Sequence, residues 1–195
     1  NLLNNECKSC FDIFKTYNDL YKQETHYNNE IIRLENTGNI MYNDTITSYK
    51  SIDININKYQ PSAIINCAAY THVDNSETKK NIAYKLNCHA IKNLVKICKL
   101  KKIYLIHFST DYVFNGKKGN YKEENKATPI NYYGKTKKIG EKIITNNLKL
   151  FVIFRISWLI GKYSNNFLKK IIYNLKNKRK IFMVEDQISN PTTTI

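Results

Sequence analysis
The sequence predicts an α/β chain built on a mainly parallel, doubly wound sheet, and three observations carry that prediction. Apolar, β-rich runs recur at Ala63–Ala68, Ile103–Phe108 and Phe151–Ile156, each of strand length. Stretches with helical periodicity separate them, at Ile82–Cys98 and from Tyr133 onward. Strand, helix and strand at these lengths make a βαβ unit, whose strands run parallel with a right-handed crossover.

In chain order, residues 1–43 carry little pattern. Phe11, Phe14, Leu20 and Tyr21 could line one side of a helix, and Ile31-Ile32 form a strand-like pair. Pro61 punctuates the chain before the first clear strand, Ala63–Ala68, which is broken only by Asn66. It ends in Ala68-Ala69-Tyr70-Thr71, where small side chains serve either tight packing or a ligand lying close to the backbone. Ile82, Leu86, Ala90, Leu94 and Cys98, joined by Ala83, Ile91 and Val95, then form a wide helical stripe. His89 beside it reads as structural or exposed. The Ile103–Phe108 strand holds His107, a core histidine with its hydrogen bonds met, and stops at Ser109-Thr110-Asp111. Ligands of open α/β sheets bind at the carboxyl ends of strands, so these three oxygen-bearing side chains are candidate site residues. Asn115-Gly116, Gly119-Asn120 and Pro129 mark a loop. A helix starts with Tyr133-Gly-Lys-Thr-Lys137. Phe151–Ile156 ends in Ser157 and the single tryptophan, Trp158. A helix over Phe167–Leu175, a strand over Ile181–Val184 and the segment Asp186-Gln187…Pro191-Thr192 complete the chain.

Tyr133 and Lys137 stand four apart and share one helical face. An ammonium beside a phenol favours the phenolate and lowers its pKa. Such a tyrosine can give or take a proton at a carbonyl or alcohol oxygen. Thr110 could hydrogen-bond the same oxygen. In a lysine-rich chain Tyr-x-x-x-Lys also arises by chance; its company with Ser109-Thr110-Asp111 and the intervening loop gives it weight.

The 195 residues suffice for one domain with a sizeable core. The net charge of +15 raises nucleic acid or an acidic membrane as partners. The lysines, however, are spread along the chain among abundant Asn, Ile and Tyr, as an AT-rich coding background would leave them, so neither partner is expected. Cys67, Cys88 and Cys98 fall within apolar patterns and read as small buried hydrophobes of a reducing compartment. Cys7 and Cys10 form a CxxC without a second pair at zinc-site spacing, so no metal is expected. The absence of a secretory segment or membrane-length apolar run leads to the expectation of a soluble cytoplasmic protein. The chain opens on Asn1 rather than Met, which leads to the expectation of a start lost or not included.

HFSTDYVFNG, PINYYGKTKKIGE and FRISWLIGKYSNNF resemble the dTDP-4-dehydrorhamnose reductase family, extended short-chain dehydrogenase/reductases. PSAIINCAAYTHVD and VEDQISNPT resemble the same family, so the likeness runs from Tyr59 to about Thr193 in one order. The resemblance implies a single NAD(P)-binding Rossmann-like domain over 1–195, divergent over 1–43. Family members continue past Ile195, so most of the substrate domain is expected to be missing.

The implied reaction is hydride transfer from NADH or NADPH to C4 of dTDP-4-dehydro-L-rhamnose. Its catalytic residues would be Tyr133, Lys137 and Thr110. Ala68, Ala69, Tyr70, Thr71, Phe108, Ser109, Tyr133 and Lys137 would hold the cofactor. Thr71, Val73, Asp111, Tyr112, Trp158 and Asn166 would hold the dTDP-sugar. A homodimer is left open, and Asp44 falls near the family's adenosine-side segment. The family's glycine-rich first turn is the main departure. Asn5, Lys8 and Phe11 stand where its glycines belong, and Gly38 is the only glycine before Gly116. Two alternatives therefore stay open: a non-catalytic binding or regulatory relative, like the beta subunit of methionine adenosyltransferase, and another extended nucleotide-sugar enzyme such as an epimerase.

Overall fold
The Ser48 hydroxyl accepts a hydrogen bond from the Ser51 N–H at 3.3 Å, a cap that opens helix α1, Tyr49–Tyr59. The computed structural model describes residues 46–161, 167–183 and 185–194, which lie in one compact unit, Asn36–Ile195. The readings placed on Asn5, Cys7, Lys8, Cys10, Phe11, Phe14, Leu20, Tyr21, Ile31-Ile32, Gly38 and Asp44 fall outside the described residues.

Strands β1 (Ala63–Asn66), β2 (Tyr104–Thr110) and β3 (Phe151–Ile156) form a parallel sheet in the order β1-β2-β3. Asn66 pairs with His107 and Thr110 with Ile156, so all three strands end on one side of the unit. This is the expected mainly parallel, Rossmann-like α/β fold, with a sheet that is not fully formed. After β1 come helices α2 (Val73–Thr78) and α3 (Lys80–Tyr84), then a π turn (Lys85–His89) that runs directly into α4 (Ala90–Lys101). Helix α5 (Tyr132–Asn147) joins β2 to β3, and α6 (Phe167–Lys176) follows β3.

The core lies between one sheet face and three helices. Ile52 and Ile56 of α1, Ile91, Leu94 and Ile97 of α4, and Ile144 of α5 close on Leu105 of β2. Each fully buried aliphatic side chain of this kind contributes ~1.5–3 kcal/mol. Along that face the strands change character toward their carboxyl ends. Ile64, Leu105 and Phe151 are followed by Asn66, His107, Ser109 and Arg155.

Several expectations need correction. Ile82, assigned to the buried stripe, is 42% exposed, while Ala83 is fully buried. The π turn inserts an extra residue per turn and rotates everything upstream of it off the α4 phase. Cys67 is exposed because β1 ends one residue before it, whereas Cys88 and Cys98 are buried. No strand forms at residues 181–183, where Phe182 is 92% exposed; Val184 lies outside the described residues. The strand partner comes later. Thr192–Thr193 (β5) pairs in parallel with Leu159–Ile160 (β4).

Two glycines let α5 lie against backbone. A Cβ at Gly134 would overlap the Tyr112 carbonyl, and one at Gly140 would stand 2.7 Å from the Asn87 carbonyl oxygen. Alanine in a helix interior ordinarily stabilises by about 1 kcal/mol over glycine. At Gly140 that sign should reverse. Gly140→Ala is expected to lower stability by roughly 3 kcal/mol. Gly119→Ala, with open space but φ +67, should cost about 1 kcal/mol; urea midpoints of the two variants check the difference.

Candidate active site
Helix α5 begins where two side chains hold its first turn. Asn131 accepts from the Gly134 N–H at 2.7 Å, and Glu77 of α2 accepts from the Tyr132 N–H at 2.7 Å. A carboxylate there also meets the positive end of the helix dipole. The anchored turn presents Tyr133, and the next turn presents Lys137. Both are buried, Lys137 to 2% exposure. They share the face expected of them.

Thr110, at the end of β2, is buried beside Tyr133. Its hydroxyl accepts from the Tyr112 N–H at 3.2 Å and donates to Asp111 Oδ1 at 3.1 Å. Asp111 Oδ2 accepts from Ser189 at 2.7 Å, which brings the 185–194 segment to the strand end. The Tyr112 ring lies edge-on to Tyr133, with centroids 5.9 Å apart. Thr110, Asp111, Tyr112, Tyr133 and Lys137 are therefore one cluster.

The turn after β1 forms the second wall. Ala68 is buried; Ala69 and Tyr70 are half-buried, Thr71 is exposed, and Val73 opens α2. Asn87, in the π turn, clamps this wall to α5. Its Oδ1 accepts from the Tyr70 N–H at 2.8 Å, and its Nδ2 donates to the Tyr70 carbonyl and to Thr136 Oγ1. Nothing in composition or periodicity singles out Asn87. The available sign is an amide buried inside an apolar helical stripe, which needs partners from other elements. Ser189 is likewise missed, since its partner lies 78 residues away in the chain.

Phe108 is half-buried and stacks on Phe154 at 5.9 Å, and its carbonyl accepts from Lys137 Nζ at 2.6 Å. Ser109 Oγ, next along the strand, is buried and has no hydrogen-bond partner. That unmet oxygen, the small Ala68-Ala69 floor and the buried Lys137 cation suit the polar edge of a flat ligand at the strand ends. Trp158 is 37% exposed, has φ 43 and packs edge-on to Phe167 of α6 at 4.8 Å. Asn166 is outside the described residues. Among the described residues, no three His, Cys, Asp or Glu side chains gather as a metal site, and no helix is long and apolar enough to cross a membrane.

The electrostatics correct one expectation. Lys137 does not pull Tyr133 toward the phenolate here. Burial pushes the phenol up to about 12, against a smaller opposing effect of the Thr110 hydroxyl. The ammonium is turned to the Phe108 carbonyl, and its own burial brings it down to about 8, with Glu141 acting the other way. Glu141 is bound through both oxygens by Arg155, at 3.0 and 2.8 Å. The cluster thus offers a neutral phenol as proton donor.

A parallel sheet whose middle strand ends beside a buried Thr, Tyr and Lys set is the arrangement of the short-chain dehydrogenase/reductase class. Comparison with known proteins narrows this. The RmlD substrate binding domain family matches residues 18–195. The dTDP-4-dehydrorhamnose reductase of Aggregatibacter actinomycetemcomitans is 39% identical over 138 residues, covering 70% of this chain and 47% of that protein. The crystal structure of dTDP-4-dehydrorhamnose reductase from Bacillus anthracis in complex with NADP superposes with a TM-score of 0.73 at 38% identity. It covers 76% of this chain and 54% of that one. The Clostridium acetobutylicum structure gives 0.72 at 35% identity, covering 76% and 53%. The chain belongs to the RmlD/dTDP-4-dehydrorhamnose reductase family, and it spans about half the length of the curated relatives it matches.

The buried groups predict a pH dependence of stability. An unfolded chain keeps the Lys137 proton up to the ordinary 10.5, whereas the folded chain releases it at about 8. Between those values the unfolded chain binds more protons, so stability rises with pH. Cys88 and Cys98, raised from 9.0 to about 11 by burial, reverse the slope above about pH 9, and Tyr133 adds to the fall above 10. The urea midpoint is expected to climb between about pH 8 and 9 and then decline. Lys137→Met should remove the climb.

Proposed function
We propose that this chain carries the catalytic half of a dTDP-4-dehydrorhamnose reductase, an NADH- or NADPH-dependent oxidoreductase acting on the C4 keto group of dTDP-4-dehydro-L-rhamnose to give dTDP-L-rhamnose. The observation that carries the proposal is the neutral Tyr133 phenol buried beside Thr110 at the end of the middle strand. Reduction of a ketone needs a proton donor at the developing alkoxide, and a phenol held well above neutrality is protonated when the substrate arrives. Family membership, and relatives whose names specify this reaction, support the same substrate class.

The residues present fit the nicotinamide side of a dinucleotide. Ala68 and Ala69 leave room for a flat ring, Ser109 Oγ lacks a partner, and Lys137 supplies a buried cation. A reduced nicotinamide bound there supplies the hydride. Thr110 orients the C4 oxygen, and Tyr133 gives that oxygen its phenolic proton. Lys137, one turn along α5 and turned to the Phe108 carbonyl, would hold the nicotinamide ribose. Asn87 and Thr136 keep the Tyr70 turn and α5 at a fixed separation while this happens. Asp111 and Tyr112, at the mouth, are placed to meet the sugar nucleotide.

A binding-only role is the second reading, favoured by Asn5, Lys8 and Phe11 at the positions of the family's phosphate-turn glycines. Titration with NADH and NADPH, followed by nicotinamide fluorescence and then by addition of the dTDP-ketosugar, separates the two. Saturable binding and consumption of reduced cofactor are expected. Tyr133→Phe should lower turnover ~10²–10⁴-fold with the fold intact. A wild-type rate in that variant would rule out this mechanism. Saturable binding without consumption would favour the binding-only role.

A further inference from the structure
His107 is 1% exposed in the middle strand, and its two ring nitrogens face different elements. Nδ1 lies 2.9 Å from Asn66 Nδ2, and Nε2 lies 3.5 Å from Lys137 Nζ. The Asn66 amide cannot turn over, because its Oδ1 accepts from the Ala68 N–H at 3.1 Å. Its NH₂ therefore donates to His107, Nδ1 is the acceptor, and the ring proton sits on Nε2. A lysine ammonium has three donors and no lone pair, so an Nε2–H facing it is a donor against a donor. An uncharged amine at the same place has a lone pair that can accept that proton.

We propose that His107, locked by Asn66 in the Nε2–H form, is a positioning residue that turns a donor toward Lys137, holding its ammonium on the Phe108 carbonyl and favouring release of its proton. Burial is the larger cause of the lowered Lys137 value, and no neighbouring cation adds to it among the described groups that act on the lysine. Glu141, on the same helix, is engaged by Arg155 of β3. The Cys88 thiol of the π turn is raised to about 11 by burial, and the Cys67 thiol after β1, though its residue is open to solvent, also lies above the ordinary 9.0, so both are uncharged near neutrality. Tyr133 is a neutral phenol. Burial and the Lys137 charge keep the imidazole itself neutral. The Asn66 amide, which also binds Ala68, thereby links the turn carrying the Ala68-Ala69 floor to the protonation state of Lys137. The catalytic meaning of the link rests on the reductase reading. The link itself does not.

The test uses the full chain with ¹⁵N-labelled histidine and lysine, without substrate or cofactor. His107 is assigned by its loss in His107→Phe, and Lys137 by its loss in Lys137→Met. The His107 ring is expected to show a protonated Nε2 and a bare Nδ1, unchanged from about pH 5.5 to 9. An Nδ1–H form, or titration within that range, overturns the proposal, and this readout is taken on the wild-type chain. Asn66→Asp keeps the Ala68 bond, but its second oxygen demands a proton on Nδ1 and so leaves Nε2 free to accept from the ammonium. The Lys137 titration should then move up by about one unit or more. In a His107→Phe background the same aspartate should give no such rise. A rise of equal size in both backgrounds assigns the effect to the carboxylate charge and overturns the role of His107. A silent turnover assay beside the expected spectra would remove the reductase reading alone.

Discussion

The close approach of α5 to backbone is the constraint on which the site depends. Gly134 lets the helix touch the Tyr112 carbonyl, and Gly140 lets it touch the Asn87 carbonyl, six residues further along. Side chains at either point would hold the helix off by the width of a methyl group. The first contact joins the helix to the strand-end turn of β2, and the second joins it to the π turn before α4. With both made, Tyr133 falls beside Thr110 and Lys137 falls on the Phe108 carbonyl. A shift of 1 Å at such a centre is enough to cost catalysis heavily.

The sheet face under α5 shows how one surface does two jobs. At its amino end, Ile64, Leu105 and Phe151 join the aliphatic core formed with α1 and α4. Toward its carboxyl end, Asn66, His107, Ser109 and Arg155 take their places, and α5 answers with Lys137 and Glu141. Burying these groups costs free energy unless each is paired. Most are. Asn66 bonds His107 and Ala68, Arg155 bonds Glu141 through both oxygens, and its guanidinium also reaches the Glu123 carbonyl and the Phe114 ring. Among the described residues, Ser109 Oγ is the buried side-chain oxygen left without a partner, at the point where the strand opens to the site.

The π turn belongs to the same logic. It costs α3 its register with α4, which is why Ile82 surfaces, but it places the Asn87 side chain between Tyr70 and Thr136. A regular helix would carry Asn87 about 100° further round for each residue not inserted. The departure from ideal geometry thus holds two walls of the site together, as π turns at functional positions often do.

Much of this was legible in the amino-acid order. Apolar runs of strand length marked the three strands of the larger sheet, and period-3.6 patterns marked the helices between them, because a strand covered by helices is apolar throughout and a helix buries one stripe. The Tyr133–Lys137 pair and the Ser109-Thr110-Asp111 strand end were legible for the same local reason. What only the tertiary structure decided depends on partners distant in sequence. Asn87, Ser189 and the Asn66–His107–Lys137 chain join residues from 17 to 78 positions apart. The sign of the Tyr133 shift was decided in the same way. Four-residue spacing puts an ammonium on the right face, but burial and the direction of the Lys137 side chain determine whether the phenol feels water, charge or neither. Local order chooses the elements; packing chooses the environment of each charge.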